Sequence, residues 1–236
     1  MTDLKHELAV ANRILAKEGV VDALGHISAR NPANPDHFLI SRSLGPELVT
    51  PADIQEFTLD CVEVNGDARP PYAERAIHAG IYAARSDVLA VCHNHTPSVI
   101  PFSVTDLELR PIFHMAATSG ERIPVWDIAA EFGDTDLLVR SRDQADSLAR
   151  ALDRGRVVLM RGHGCAVTGA SIQEVVFTCI YLQLNAHLVL QTLNTGREHR
   201  YLSSGEIERA TATLLQPLTQ ERTWRTWSQR ITVPTP

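Results

Sequence analysis

A short apolar run that ends in two histidines constrains the fold of this chain more than any other feature. Residues 88–92 read Val-Leu-Ala-Val-Cys, which is typical of a buried strand, and His93, Asn94 and His95 follow directly. Because side chains alternate along a strand, His93 and His95 project to the same face. Two neighbouring imidazoles suit a metal ion, but polar residues that merely leave a strand give the same pattern. These residues alone leave both interpretations open.

Short strands alternate with helices along the chain. A helix is predicted at residues 74–85, immediately before the histidine strand, and one strand with a bend is predicted at residues 57–64. Ser-Ile-Gln-Glu at residues 171–174 is a capping box that opens a long helix, and Ser203 opens another in the same way. With 44% hydrophobic residues and no repeat, we predict one α/β domain over residues 1–236 with a helical tail from about residue 203.

The charge of the chain restricts its partners. A net charge of −6 argues against a nucleic-acid surface or an anionic membrane, but local arginines could still bind a small anionic substrate. The lysines are Lys5 and Lys17 alone, and both belong to the predicted first helix. The sequence therefore offers no candidate for a Schiff-base lysine.

Export and membrane insertion find no support in the sequence. Charged residues between Asp3 and Glu7 interrupt any apolar run at the N-terminus, so no signal peptide is predicted. No stretch approaches the ~20 apolar residues of a membrane span. The four cysteines show no CxxC motif. We therefore expect a cytoplasmic, reduced protein without a membrane partner.

A third histidine follows a second buried strand. Val-Val-Leu-Met at residues 157–160 runs into Arg-Gly-His-Gly, and the glycines beside His163 indicate a close approach of the backbone to a neighbour. A catalytic metal site of zinc type uses three protein ligands, which His93, His95 and His163 would supply. Cys165 has the same parity as His163, but the glycines make its direction uncertain, and we expect it to be a buried apolar residue instead.

Glu74 opens the helix that precedes the histidine strand. A helix and strand of this size return the strand end close to the helix start, so the carboxylate of Glu74 could be a fourth ligand or an acid/base group. It could equally be an acidic residue that stabilises the positive end of the helix dipole.

The order of these motifs resembles the class II aldolase/adducin family, from the first helix to about Asn194. The motifs that carry the resemblance are Gly25-His26-Ile27-Ser28, Glu74, His93-Asn94-His95 and Arg161-Gly162-His163-Gly164. The resemblance implies an α/β/α sandwich around a mostly antiparallel sheet and a homotetramer with active sites between subunits. It also implies one divalent metal ion held by the three histidines, with Glu74 as catalytic acid/base. Zinc, manganese, cobalt and iron all suit this donor set.

The chain departs from the sugar-phosphate members of that family where they bind phosphate. His26 replaces an asparagine, Ser41-Arg42-Ser43 replaces a Thr-x-Ser-Gly loop, and Tyr72-Ala73 replaces two serines before Glu74. A phosphorylated sugar is therefore not the expected substrate.

The replacing residues indicate a flat, carboxylated substrate. Arg42 offers a planar fork suited to a carboxylate, flanked by Ser41 and Ser43, while His26 adds a titratable ring and Tyr72 an aromatic wall. This pattern resembles the decarboxylase branch of the family, whose substrates include 3,4-dihydroxyphthalate and 3-hydroxy-2-methylpyridine-4,5-dicarboxylate. We expect His26 or Glu74 to donate the proton.

Three alternatives remain at this point. The chain could be an aldolase-type lyase of an unphosphorylated substrate, a non-enzymatic adducin-like module, or an iron oxygenase on the same scaffold. The remaining histidines belong to no motif, and His78, His187 and His199 are expected to be structural. His114 could reach the active site of a neighbouring subunit, as the resemblance implies, but we expect it to be an interior histidine.

Overall fold

One seven-stranded sheet forms the centre of the protein, for which a computed structural model describes residues 4–233. In chain order the strands are β1 (His26–Arg30), β2 (His37–Ser41), β3 (Ile54–Thr58), β4 (Ala90–Asn94), β5 (Val125–Trp126), β6 (Val157–Met160) and β7 (Gly164–Gly169). Their order in the sheet is β3-β2-β1-β4-β7-β6-β5. All neighbouring strands are antiparallel except β5 and β6, which are parallel. The sheet is therefore mostly antiparallel, as predicted.

Helices cover both faces of this sheet. They are α1 (Leu4–Lys17), α2 (Arg75–Ala84), α3 (Ile100–Val104), α4 (Ile128–Phe132), α5 (Arg142–Leu152), α6 (Ile172–Asn194), α7 (Ser204–Leu214) and α8 (Pro217–Ser228). One apolar cluster joins α1, α6, α7 and α8 to the first face, and a second joins α2, α4 and α5 to the opposite face. The predicted α/β/α sandwich is thus confirmed.

Alternation along β4 decides which face receives the histidines. Ala90 and Cys92 pack in the cluster of α1 and α6, whereas Val91 packs in the cluster of α2 and α5. His93 has the parity of Val91, so its side chain lies on the α2 side of the sheet. The site therefore forms where β4 ends, beside the N-terminus of α2.

The single strand predicted at residues 57–64 is wrong, because the chain reverses in the middle of it. Strand β3 ends at Thr58, and Glu63 returns to form a bridge with Phe57. The hydroxyl of Thr58 accepts hydrogen bonds from the backbone N–H groups of Asp60 and Val62, and Cys61 has a φ of 63°. A local side-chain acceptor thus stabilises a turn that the apolar pattern conceals.

Helix α6 corrects another expectation. By length and composition alone it could span a membrane, although half of the qualifying segment is buried inside the protein. It packs against α1, β4 and β7, which accounts for its apolar composition. The cytoplasmic location expected from the sequence stays a prediction.

The C-terminal tail packs against α6. As predicted, Ser203 forms a capping box at the start of α7. On α8 the buried Trp227 contacts Phe177 and Tyr181 of α6, with ring centroids 6.2 and 6.3 Å apart. Trp227 therefore belongs to the core of its own subunit. The single domain over residues 1–236 stays a prediction, and its ends, residues 1–3 and 234–236, lie outside the described residues.

Candidate metal centre and substrate pocket

Three imidazoles converge at the ends of two neighbouring strands. His93 lies in β4, His95 directly follows that strand, and His163 lies in the turn between β6 and β7. The Nε2 atom of His95 lies 3.0 Å from Nε2 of His93 and 3.2 Å from Nε2 of His163. Strands β4 and β7 are direct neighbours, and their pairing brings the two histidine motifs together.

The glycines beside His163 allow this convergence. Gly162 has a φ of +64°, a backbone conformation that favours glycine and turns the chain between β6 and β7. A Cβ atom on Gly164 would collide with the carbonyl oxygen of Asn94 and lie 3.2 Å from Cα of His95. The close approach of backbones that the sequence predicts is therefore confirmed, and it occurs against β4.

Glu74 adds a carboxylate to the three imidazoles. It is the N-cap residue of α2, is 7% exposed, and its Oε2 lies 3.5 Å from Nε2 of His93 and 3.4 Å from Nε2 of His163. Its other oxygen accepts a hydrogen bond from the backbone N–H of Val139 at 2.9 Å. Burial raises the pKa of Glu74, but interactions with His163 and His93 outweigh it and hold the pKa well below its ordinary value. The carboxyl group of Glu74 therefore points at the histidines, so its role extends beyond the helix dipole.

The donor set fits a divalent metal ion. One ligand atom from each of Glu74, His93, His95 and His163 lies within 4.8 Å of the others. The Nδ1 atom of His93 faces the carbonyl oxygen of Cys165 at 3.1 Å, and Nδ1 of His95 faces the carboxylate of Asp22 at 3.4 Å. A proton held on Nδ1 by such acceptors leaves the Nε2 lone pairs free, and metal-binding histidines are oriented in this way.

Cys165 contributes its backbone to the site, and its sulfur points elsewhere. Its buried thiol donates to the side-chain oxygen of Asn94 at 3.3 Å, and burial raises the pKa of the thiol. Cys92 packs in the core on the other face of the sheet from His93. Both cysteines are buried apolar residues, as expected.

A pocket of about 470 Å³ opens beside the four candidate ligands. The ring of Tyr72 lies against the ring of His26, with centroids 4.4 Å apart. Burial, His78 and His93 together lower the pKa of His26 well below its ordinary value. The pocket is lined by Asp22, Ala23, Leu24, His26, Ser43, Tyr72, Ala73, Glu74, His95, Leu138 and His163. An aromatic wall and apolar edges next to a cluster of metal-type ligands suit a flat ring that carries oxygen atoms.

Two of the predicted substrate residues do not line this pocket. Ser41 is fully buried, and Arg42 uses its Nε to donate to the carboxylate of Asp53 at 2.7 Å. Ser43 does line the pocket, and the hydroxyl of Tyr72 donates to the carbonyl of Leu44 in the same loop. The structure thus places His26, Ser43 and Tyr72 in the lining of the pocket beside the candidate ligands. Ser41 and Arg42 lie outside this lining.

Sequence reasoning missed Asp22 and the contact of His78 with His26, and it misplaced His114. Asp22 accepts hydrogen bonds from the backbone N–H groups of Leu24 and Gly25, a local pattern that an aspartate shortly before a glycine could have indicated. His78 follows Glu74 by one helical turn and is hydrogen-bonded to His26, so it belongs to the surroundings of the pocket. The expectation of an interior position for His114 is wrong, because its side chain is exposed.

The similarity to known proteins agrees with this geometry. The family model described as Class II Aldolase and Adducin N-terminal domain matches residues 6–190. Decarboxylase tropJ of Talaromyces stipitatus is 35% identical over 241 residues, covering 92% of this chain and 90% of the relative. A 3,4-dihydroxyphthalate decarboxylase of Arthrobacter keyseri is 30% identical over 202 residues, covering 81% and 79%.

Solved structures give the same fold. An aldolase II superfamily protein from Pseudomonas syringae superposes with a TM-score of 0.79 at 24% identity, covering 96% of this chain and 91% of that one. This likeness concerns the fold alone, whereas the family match covers both histidine motifs and Glu74. The chain belongs to the class II aldolase and adducin family.

Proposed function

We propose that this protein is a divalent-metal-dependent decarboxylase of a hydroxylated aromatic dicarboxylate, such as 3,4-dihydroxyphthalate, that serves aromatic catabolism. The observation that carries the proposal is the convergence of His93, His95, His163 and Glu74 beside a pocket with an aromatic wall. Two relatives named as decarboxylases, which align over most of this chain, support the reaction type.

The three histidines would hold one divalent metal ion per subunit, with Glu74 as the fourth donor or as a group beside it. When bound, the metal would supply a Lewis acid that stabilises negative charge on an oxygen of the substrate ring. Zinc, manganese, cobalt and iron all accept imidazole and carboxylate ligands, so the donor set supports each of them.

Side chains of the pocket would orient the ring and supply a proton. Tyr72 and Leu138 offer apolar surface for a flat ring. In decarboxylation the ring carbon that carries the departing carboxylate takes a proton, the bond to the carboxylate then breaks, and carbon dioxide leaves while the electron pair of that bond returns to the ring and its oxygen substituent. His26 and Glu74 both line the pocket and are the candidates to deliver that proton, although Glu74, with its lowered pKa, would first have to accept one.

The loop after β2 would recognise the second carboxylate. We assign Ser43 to direct contact, because it lines the pocket, and Arg42 to charge recognition through its terminal nitrogens, with Ser41 supporting the loop. Burial raises the pKa of the Tyr72 hydroxyl, and Ser41, Leu44 and the guanidinium of Arg42 oppose this effect. The backbone bridge between Arg42 and Pro71 places Arg42 beside the segment that carries Tyr72.

The protein would act as a homo-oligomer, a tetramer by its family resemblance, with a neighbouring subunit at the mouth of each pocket. Leu24 supports this arrangement, because it lines the pocket and yet is 67% exposed in the single chain. Sedimentation equilibrium should give a mass of four times 26.0 kDa. A mass of one chain would remove this part of the proposal.

The reaction is tested by release of carbon dioxide from 3,4-dihydroxyphthalate and related ortho-hydroxy aromatic acids. We expect release by the metal-loaded protein and a loss of at least about 100-fold in His93→Ala, which lacks one metal ligand. Metal analysis of both proteins checks that the variant has lost its ion. Absence of release from every ortho-hydroxy aromatic acid would remove the decarboxylase proposal.

The role of Arg42 is tested with substrates that differ by one carboxylate. Arg42→Ala should raise KM for a dicarboxylate about tenfold, because it removes a positive charge beside the pocket. For the matching monocarboxylate KM should change by about twofold at most, which serves as the control. Equal changes for both substrates would show that Arg42 does not recognise the second carboxylate.

A further inference from the structure

A ladder of buried hydrogen bonds leads from the pocket into the core. Nδ1 of His26 lies 2.7 Å from Nε2 of His78, whose Nδ1 lies 2.6 Å from the hydroxyl of Ser28. The hydroxyl of Ser28 lies 2.8 Å from that of Tyr82. All four side chains are 1% exposed or less, and only His26 lines the pocket. We call His26, His78, Ser28 and Tyr82 the polar ladder.

Secondary structure explains how these four residues meet. His26 and Ser28 are two residues apart on β1 and therefore project to the same face, towards α2. His78 and Tyr82 are four residues apart on α2, which places them one turn apart on the same side of the helix. The ladder crosses an otherwise apolar cluster, where an unsatisfied donor or acceptor is costly.

The far end of the ladder sets the direction of its hydrogen bonds. Within residues 4–233, the structure gives the Tyr82 hydroxyl one side-chain partner, the oxygen of Ser28. A buried phenol must donate its proton, so Tyr82 donates to Ser28 and Ser28 donates to Nδ1 of His78. His78 then carries its proton on Nε2 and donates it to Nδ1 of His26. In the opposite direction the Tyr82 hydroxyl would remain a buried donor with no acceptor in the part of the chain that the structure describes.

We propose that the polar ladder fixes His26 as the tautomer that carries its proton on Nε2, so that His26 presents an N–H donor to the pocket. His78 is then a positioning residue that acts through His26. An N–H donor suits an oxygen of an anionic ligand, in a pocket that Asp22 and Glu74 otherwise supply with carboxylates. The part of this inference that concerns the substrate rests on the proposed function, whereas the tautomer of His26 does not.

The tautomer is tested by long-range ¹H–¹⁵N NMR of the full-length protein with ¹⁵N-labelled histidines, since protonated and unprotonated ring nitrogens resonate far apart. The His26 signals are identified by their loss in His26→Gln. We expect a protonated Nε2 and an unprotonated Nδ1 for His26. A proton on Nδ1 would overturn the proposal.

Ser28→Ala combined with Tyr82→Phe tests whether the ladder is the cause. The double variant removes both hydroxyls, so nothing donates to Nδ1 of His78 and both imidazoles can reverse. We expect its His26 signals to shift towards the Nδ1-protonated form. Tyr82→Phe alone is the matched control and should leave them unchanged, because the buried hydroxyl of Ser28 still donates to His78. An unchanged His26 pattern in the double variant would show that the ladder does not set the tautomer.

The assay of carbon dioxide release then tests the role of His26 towards the substrate. In the double variant Ser28→Ala/Tyr82→Phe we expect KM to rise about tenfold, which corresponds to the loss of one hydrogen bond to a charged group, whereas Tyr82→Phe alone should leave KM unchanged. A changed tautomer with an unchanged KM would overturn the role in binding. Because the NMR measurement needs no reaction, failure of the proposed decarboxylation leaves the tautomer test valid.

Discussion

At the scale of single residues, the partners of each imidazole differ. His93 faces a backbone carbonyl and His95 faces the carboxylate of Asp22, whereas Nδ1 of His163 is buried without a hydrogen-bond partner among the described residues. A carboxylate raises the basicity of a ligand imidazole more than a carbonyl does and also fixes the ring. Asp22 is therefore the neighbour with the largest expected influence on metal affinity.

Asp22→Asn should weaken zinc binding about tenfold. This is the lower end of the range for residues that hydrogen-bond to a metal-binding histidine. The loss of affinity stays this small because asparagine keeps a side-chain oxygen. That oxygen can still accept from the N–H groups of Leu24 and Gly25, so the loop keeps its shape. Competition with a chromophoric chelator measures the affinity, and Asp106→Asn, on an exposed loop, is the matched control. Equal zinc affinities of wild type and Asp22→Asn would contradict this role.

At the scale of elements, the site depends on how closely β7 approaches β4. Residues 90–94 of β4 pair with residues 165–169 of β7, and Gly164 is the first residue of β7, directly before these pairs. Since a Cβ at Gly164 would meet the backbone of Asn94 and His95, any side chain there forces the two strands apart. The separation would act directly on His95 and His163.

Gly164→Ala should therefore lower the free energy of unfolding by about 1–3 kcal/mol, the range for overpacking at a site that cannot relax. It should also weaken metal binding, because the ligands of the two strands move apart. Denaturant unfolding with and without zinc measures both effects. Gly45→Ala is the control, since a Cβ there meets nothing within 4 Å, and a similar loss of stability in both variants would contradict the explanation.

At the scale of the whole molecule, a metal would join three distant stretches of the chain. Glu74 begins α2, His93 and His95 end β4, and His163 lies between β6 and β7. In an unfolded chain these three stretches are not held near one another, so metal binding would be coupled to folding.

Zinc should accordingly raise the melting temperature. At one hundred times Kd the added stability is about 2.7 kcal/mol, which for a chain of this length corresponds to about 5–10 °C. Calorimetry over a series of zinc concentrations measures this rise, and His163→Ala should abolish most of it. A melting temperature independent of zinc would show that the cluster holds no metal in the folded protein.

The sequence by itself predicted the fold class and the four residues that converge in the candidate metal centre. The prediction used local patterns, which can be recognised in the sequence without coordinates. These were the strand periodicity, the HxH spacing, the glycines around His163 and the position of Glu74 at a helix start. The continuous strand at residues 57–64 failed because the hydroxyl of Thr58 stabilises a turn that hydrophobicity does not report.

Only the tertiary structure decided what surrounds those ligands. Asp22 reaches His95, Asp53 engages Arg42, and His78 joins His26 through contacts between residues far apart in the chain. Such contacts depend on strand order and on the packing of α2 against the sheet, which no local pattern encodes. The apolar run that ends in His93 and His95 therefore specified a metal-type site, and packing specified the pocket beside it.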